Sequence, residues 1–113
     1  MNDSQPAEDL FISEWQARVD DQIQAFGGYW DAFQILARLM EELGEVAAAL
    51  QRLNGLRPHD STVDLEAEIG DVLYTVMAFA NARQIRLDQA LARVLQKYEQ
   101  RDQQAWQDQQ RDR

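Results

Sequence analysis

The 113-residue chain contains no cysteine. Disulfides and thiolate metal sites are therefore excluded. Proline occurs twice, at Pro6 and Pro58, and glycine five times. Such sparse punctuation leaves few places where a helix must stop. β-Branched residues are too scattered to alternate as strands. No apolar run approaches the roughly 20 residues that span a bilayer. The segment Met1 to Glu8 is polar and acidic, without the basic-then-apolar order of a signal peptide. A soluble, cytoplasmic protein is the expectation. Positive charge is also scarce, with 11 Lys and Arg against 20 Asp and Glu and a net charge of −9. A nucleic-acid backbone wants a basic face, so nucleic acid is excluded as a partner, and an anionic membrane surface with it. An acidic chain can still hold phosphates when metal ions stand between the two charges.

What is present is helix-forming. Ala, Leu, Gln, Glu and Arg dominate, which favours long helices, and the length suits one domain. A lone domain of this size buries only about two-thirds of its unfolded surface, so association with further copies is expected. Four helices are predicted. The first runs from about Ala7 or Ser13 to Phe26, with Leu10, Ile12, Trp15, Val19, Ile23 and Phe26 roughly on one face, and Gly27-Gly28 ends it. Asp31, with Gln34 three residues on, reads as an N-cap with a capping-box partner. The second helix then runs to about Leu53. Its stripe is Leu36, Leu39, Leu43, Val46, Leu50 and Leu53. Asn54-Gly55 stops it, and a loop holding Pro58 and His59 follows. His59 is not placed like a ligand.

The third helix is capped from Ser61 to Asp64 and continues to about Arg83. Leu65, Ile69, Val72, Leu73, Val76, Phe79 and Ala80 give it a wide apolar face, so it should be the most buried. The fourth begins near Leu87 or Asp88, with Leu91, Val94, Leu95 and Tyr98 in its stripe. The Gln-, Asp- and Arg-rich tail from Gln103 is expected to fray. The fold class is all-α, a four-helix bundle-like domain that is oligomeric. An N-terminal extension over 1–9, a helical domain over 10–106 and a polar tail over 107–113 complete the organisation.

Two segments carry the chemistry. Glu42-Leu43-Gly44-Glu45 lies in the second helix and Glu68-Ile69-Gly70-Asp71 in the third. Both read acid, aliphatic, glycine, acid. Acids three residues apart project from one helical face. A glycine inside a helix costs about 1 kcal/mol relative to alanine, and it lets another backbone or a ligand approach closely. Two helices crossing here would bring four carboxylates together. Such a cluster is stable only with cations or protons. Hard oxygen ligands without histidine or cysteine suit Mg²⁺ or Mn²⁺, which complete their shells with water and substrate phosphates. Each half-motif alone is also what an ordinary solvated helix face looks like.

The strings LARLMEELGEVAAAL, LEAEIGDVLYTVMAFAN and LARVLQKYEQR resemble the MazG-like nucleoside triphosphate pyrophosphohydrolases. The likeness covers roughly Gly28 to Trp106. That family's signature is ExxE followed, after a spacer, by ExxD, and Glu42, Glu45, Glu68 and Asp71 match it in order. The resemblance implies a helical, Mg²⁺-dependent enzyme that converts nucleoside triphosphates to the monophosphate and pyrophosphate. It also implies a homodimer or dimer of dimers with the active site near the subunit interface, and a role in sanitising the nucleotide pool. By it, Glu42, Glu45, Glu68 and Asp71 would ligate the metal. Glu41, a fifth acid just before the first pair, is expected to position or deprotonate the attacking water together with Glu42, an ordinary surface glutamate being the alternative for Glu41.

Lys97, the one lysine, and Arg101, a helical turn later, resemble the KxxxR-type segment of relatives and would meet phosphate. Arg38, four residues before Glu42, could support the carboxylates or reach a phosphate. Asn81 matches an Asn of relatives and could hydrogen-bond the nucleotide. Trp30, with Tyr29, could stack on a base. For each of these residues, a salt bridge, a solvated face or a core contact is the alternative. The turn before the fourth helix, Arg83 to Asp88, departs from relatives by lacking Gly and Asp at their usual places, so the cap there is weaker or shifted. A carboxylate-bridged di-iron bundle would want Glu-x-x-His motifs, and His59 is the one histidine. A non-catalytic helical interaction module accounts for the stripes and the oligomer, and leaves the paired acids with interior glycines unexplained. The base and sugar preferences are not legible.

Overall fold

A computed structural model describes residues 10–58 and 62–112. The expectations for His59, for a cap at Ser61 and for the N-terminal extension fall outside these residues. The described chain forms four helices and no strand: α1 (Ile12–Ala25), α2 (Ala32–Leu53), α3 (Leu65–Ala82) and α4 (Leu87–Arg111). The all-α reading therefore holds. None of the four is long and apolar enough to cross a membrane.

Local chemistry sets the ends. The Asp31 carboxylate accepts from the Gln34 N–H at 3.0 Å, and the Gln34 side chain accepts from the Asp31 N–H at 3.3 Å. This capping box starts α2 where the sequence placed it. Asp64 caps α3 by accepting from the Ala67 N–H at 3.1 Å. Gly27 and Gly28, at φ of +110° and +90°, take left-handed backbone that other residues avoid, and so reverse the chain between α1 and α2.

α2 packs most extensively against α3, and α1 also packs on α3. The buried line of α2 is Ile35, Glu42 and Ala49, spaced by seven residues, with Ala48 beside it. α3 contributes Thr75, Met77, Ala78 and Ala80. It buries four residues, the same number as α2, in fewer turns. Of its expected apolar face only Ala80 is buried, while Leu65, Val72, Val76 and Phe79 are half-buried, and Ile69 and Leu73 are exposed. The stripe expected to be the core face of α2 is split. Leu39 and Val46 are half-buried, while Leu36, Leu43, Leu50 and Leu53 are exposed. The core face lies to one side of the sequence stripe, because α2 carries apolar residues around more of its circumference than α3 covers.

α4 packs on α1 alone among strong neighbours and buries none of its residues. Its start is held by Gln16, whose Oε1 accepts from the Leu87 N–H at 2.9 Å. A glutamine from another helix thus supplies the cap that Arg86 does not. The turn before it places Gln84 at φ +57°, a conformation glycine would take at less cost. The tail does not fray as expected, since α4 continues to Arg111. Strong helix formers extend it, and Asp108 accepts from Gln104 at 3.0 Å and pairs with Arg111. Trp106 stays exposed on it.

Candidate active site

The acids of α2 and α3 meet where the two helices pack. Glu42, Glu68 and Asp71 each offer a carboxylate oxygen, and these oxygens all lie within 4.8 Å of one another. Glu42 is the unusual member. It is 7 % exposed, and a glutamate is almost never buried unless paired. Its partner is Arg38, whose Nε donates to Glu42 Oε1 at 2.8 Å. The guanidinium is itself about half-exposed, so it anchors the carboxylate from the solvent side and leaves its remaining lone pairs for the cluster.

Glu45 lies outside that close set, yet its charge is felt there. The Glu68 carboxyl is pushed above its ordinary value, first by desolvation, then by the charges of Glu45, Asp71 and Glu42. With Asp64, four further carboxylates raise this one carboxyl, as neighbouring like charges do. The donor set of hard oxygens, convergent and mutually repelling, fits a divalent metal ion.

The acids border a cavity of about 660 Å³, within the range of small-molecule sites. Glu42, Asp71 and Arg38 form one side of it, and Phe26, Tyr29, Trp30 and Tyr74 bring aromatic surface to the rest. Phe26 and Trp30 are strongly exposed, so their rings are available to a ligand. The Tyr29 hydroxyl donates to Asp20 Oδ1 at 2.5 Å. Burial and then that carboxylate raise its pKa to about 12, so Tyr29 serves as a fixed hydrogen-bond donor and not as an acid.

The other sequence-predicted residues lie as follows. Glu41 is exposed and makes a 3.6 Å ion pair with Arg38. Asn81 is committed to the fold: its Nδ2 donates to the Gln16 carbonyl at 2.9 Å, and its Oδ1 accepts from Gln16 Nε2 at 3.1 Å. Gln16 Nε2 also donates to the Ile85 carbonyl at 3.0 Å. With the Leu87 cap, these bonds join α1, α3 and α4. Lys97 and Arg101 lie on α4 over the Tyr98 ring, at 5.0 and 4.7 Å from its centre, and neither lines the cavity. Within one chain the structure therefore gathers Glu42, Glu68, Asp71, Arg38 and Trp30, with Glu45 close by, and keeps the α4 cations apart.

Sequence reasoning missed Gln22, Ile23, Phe26, Ile35, Tyr74, Thr75 and Ala78 among the lining residues. Helical spacing held the signal for several. Tyr74, Thr75 and Ala78 follow Asp71 by three, four and seven residues, and Ile35 precedes Glu42 by seven, so each shares a face with an acid. The α1 residues carried no such signal, because their approach depends on tertiary packing. Gly44 and Gly70 also differ from expectation. A Cβ built on either meets nothing within 4 Å in this chain, so neither glycine exists to let α2 and α3 close on each other.

Comparison with known proteins finds relatives of the same helical fold. The MazG nucleotide pyrophosphohydrolase domain matches over residues 32–106. The YpjD protein of Bacillus subtilis is 39% identical over 102 residues, covering 87% of this chain and 92% of its own. Its crystal structure superposes with a TM-score of 0.73, covering 80% of this chain and 94% of that one. The crystal structure of the Bacillus-conserved MazG protein, a nucleotide pyrophosphohydrolase, is 33% identical with a TM-score of 0.71, covering 80% and 91% of the two chains. The iMazG protein of Vibrio DAT 722, 24% identical over 80% of this chain and 97% of that one, shares the fold with a TM-score of 0.57.

Proposed function

The chain belongs to the MazG nucleotide pyrophosphohydrolase family, hydrolases acting on nucleotide pyrophosphate bonds, and on that premise we propose that it hydrolyses nucleoside triphosphates, ribo- or deoxyribo-, to the monophosphate and pyrophosphate with Mg²⁺. The observation that carries this reading is the convergence of Glu42, Glu68 and Asp71 within 4.8 Å beside an aromatic-walled cavity. The rival reading, a non-catalytic interaction module, gives no reason to bury a glutamate against two other acids.

In the proposal, Glu42, Glu45, Glu68 and Asp71 hold Mg²⁺, which Mn²⁺ can replace because both take hard oxygen ligands. The bound ion would polarise phosphoryl oxygens, favour ionisation of a water and neutralise the leaving pyrophosphate. The chain's own groups do the rest. Arg38 fixes Glu42 and can turn from Glu41 toward a phosphate oxygen. Glu41, exposed beside the cluster, accepts the proton of the water attacking the α-phosphorus, with Glu42 orienting that water. Trp30 stacks on the base. Lys97 and Arg101 reach phosphate from α4 of a neighbouring copy, within a homodimer or dimer of dimers. Asn81 contacts the nucleotide only by giving up a bond to Gln16. The catalytic unit is 10–106, and the cellular role is removal of unwanted nucleotides in the cytoplasm.

The test is product analysis with a panel of ribo- and deoxynucleoside triphosphates and Mg²⁺. Wild type is run beside Asp71→Ala and Glu45→Ala. Monophosphate and pyrophosphate from wild type, lost in both variants, support the proposal. No turnover of any nucleotide by a folded protein that also binds no Mg²⁺ favours the interaction module.

A further inference from the structure

The segment that joins α1 to α2 carries Trp30 with little to hold it. At one end the Gly28 N–H donates to the Ile23 carbonyl at 2.9 Å, and at the other the Asp31 N–H donates to the Gln34 side chain. Between these two points lie Tyr29 and Trp30. Among the described residues, no backbone hydrogen bond engages either one. Trp30 is 62 % exposed, so packing does not fix its ring. Tyr29 and Trp30 line the cavity at the acids and also a second cavity of about 830 Å³, which Asp20, Asn81 and Arg83 border as well. The pair therefore stands between two open spaces. Just before it, Gly27 and Gly28 take left-handed backbone, and glycine gives the chain freedom to swing there.

We infer that the bond from the Tyr29 hydroxyl to Asp20 is the clamp that holds Trp30 where a nucleobase can stack on it, which makes Tyr29 and Asp20 positioning residues for substrate binding. The inference rests on the reading that Trp30 stacks on the base. The hydroxyl meets Asp20 Oδ1 at 2.5 Å, and a hydrogen bond to an ionised acceptor is shorter and stronger than a neutral one. Asp20 stands on α1, so the bond ties the connector back to a helix. Asn81 approaches the same hydroxyl, but its amide is engaged by Gln16, which leaves Asp20 as the main tie. With its pKa pushed up to about 12, Tyr29 keeps the proton it donates across the neutral range.

Holding the ring matters because a site ordered before binding loses less freedom when the ligand arrives. Where only a fraction of molecules present the ring correctly, the apparent Kd rises by the inverse of that fraction. One hydrogen bond to a partly exposed carboxylate sets that factor at about fivefold to tenfold. Glu42, Asp71 and Arg38 lie on α2 and α3, away from the clamp, so the effect belongs in KM and not in kcat.

The experiment has two readouts on the full chain, with circular dichroism to check folding. The first is nucleoside triphosphate turnover with Mg²⁺. Asp20→Leu and Tyr29→Phe should each raise KM about fivefold to tenfold, with kcat within about twofold. Asp20→Asn, which keeps an acceptor oxygen, should restore KM to near the wild-type value. In a Trp30→Ala background Asp20→Leu should add nothing, since the clamp acts through that ring. The second readout needs no nucleotide. In protein labelled with 5-fluorotryptophan, the Trp30 resonance is assigned by its loss in Trp30→Phe. It should move toward its unfolded-chain position in Asp20→Leu and Tyr29→Phe, while those of Trp15 and Trp106 stay. An unmoved Trp30 resonance in both variants would overturn the inference. So would a KM effect of Asp20→Leu that persists in full without Trp30. A KM that Trp30→Ala itself leaves unchanged would instead refute the stacking reading, whatever the fluorine spectrum shows. Should Asp20→Leu not fold, Tyr29→Phe, which removes a single oxygen, decides alone.

Discussion

Glu42→Gln separates the two roles a buried glutamate can have. The substitution keeps the shape and leaves an amide oxygen to accept from Arg38 Nε, now 2.8 Å from Glu42 Oε1. It removes a negative charge whose oxygen lies within 4.8 Å of an Asp71 oxygen. Two unit charges at that distance repel by about 1 kcal/mol in water and about 3 kcal/mol at an effective dielectric of ~20. Asp71 is exposed, so the lower figure applies, and relief from Glu68 acts in the same direction. The cost is a weakened ion pair with a half-exposed arginine, about 0.5 kcal/mol. Metal-free Glu42→Gln should therefore be more stable than wild type by about 0.5–1 kcal/mol, a rise of roughly 2–6 °C in Tm. Mg²⁺ should reverse the order. At 100 times its Kd a ligand stabilises by about 2.7 kcal/mol, and the variant should lose most of that. The assay is thermal unfolding by circular dichroism in EDTA and in millimolar Mg²⁺. A variant several kcal/mol less stable in EDTA would refute the reasoning and make Glu42 a structural partner of Arg38. An equal Mg²⁺ response in both proteins would refute it as well.

Further outcomes follow from the same geometry. Because the Glu68 pKa is raised, the metal-free folded state holds that proton more tightly than the unfolded chain does. Stability in EDTA should fall as pH rises through this raised value, and Mg²⁺ should bind more weakly as pH falls through it, which calorimetric titration across the mildly acidic range would measure. Asn81→Ala should lower stability by about 1–3 kcal/mol by stranding the polar groups of Gln16, with KM nearly unchanged in nucleotide turnover. A large KM effect at little stability cost would instead place Asn81 on the nucleotide. Asp31→Ala should cost about 1 kcal/mol by removing the α2 cap, read from the denaturation midpoint. Ultraviolet titration of Tyr29, by difference from Tyr29→Phe, should show ionisation near pH 12.

Much of the fold was legible because the signals were local. Asp31 with Gln34, Asp64, and Gly27-Gly28 are end markers whose effect depends on their neighbours in sequence, and α1 ends and α2 and α3 start where these residues say. The paired acids were legible for the same reason, since helical period alone puts Glu42 and Glu68 within reach of Glu45 and Asp71. Tertiary choices were not legible. α2 has apolar residues on both sides of its acids, and periodicity cannot say which side faces α3. The Gln16 side chain that caps α4 and anchors Asn81 reads in sequence as an ordinary polar residue. The tail beyond Gln103 looked too polar to stay ordered, yet its helix rests on propensity and on Asp108, not on a buried face. Lys97 and Arg101 read as site residues, and the path of α4 leaves them out of the lining of their own chain's cavity.

The central claim is that the acids of α2 and α3 direct hydrolysis of an α,β-phosphoanhydride. Turnover of a nucleoside triphosphate with Mg²⁺ in ¹⁸O-labelled water, with both products weighed by mass spectrometry, tests it most directly. The account predicts monophosphate carrying one ¹⁸O, unlabelled pyrophosphate, and no reaction by Asp71→Ala. Release of orthophosphate, or undiminished turnover by that variant, would contradict it.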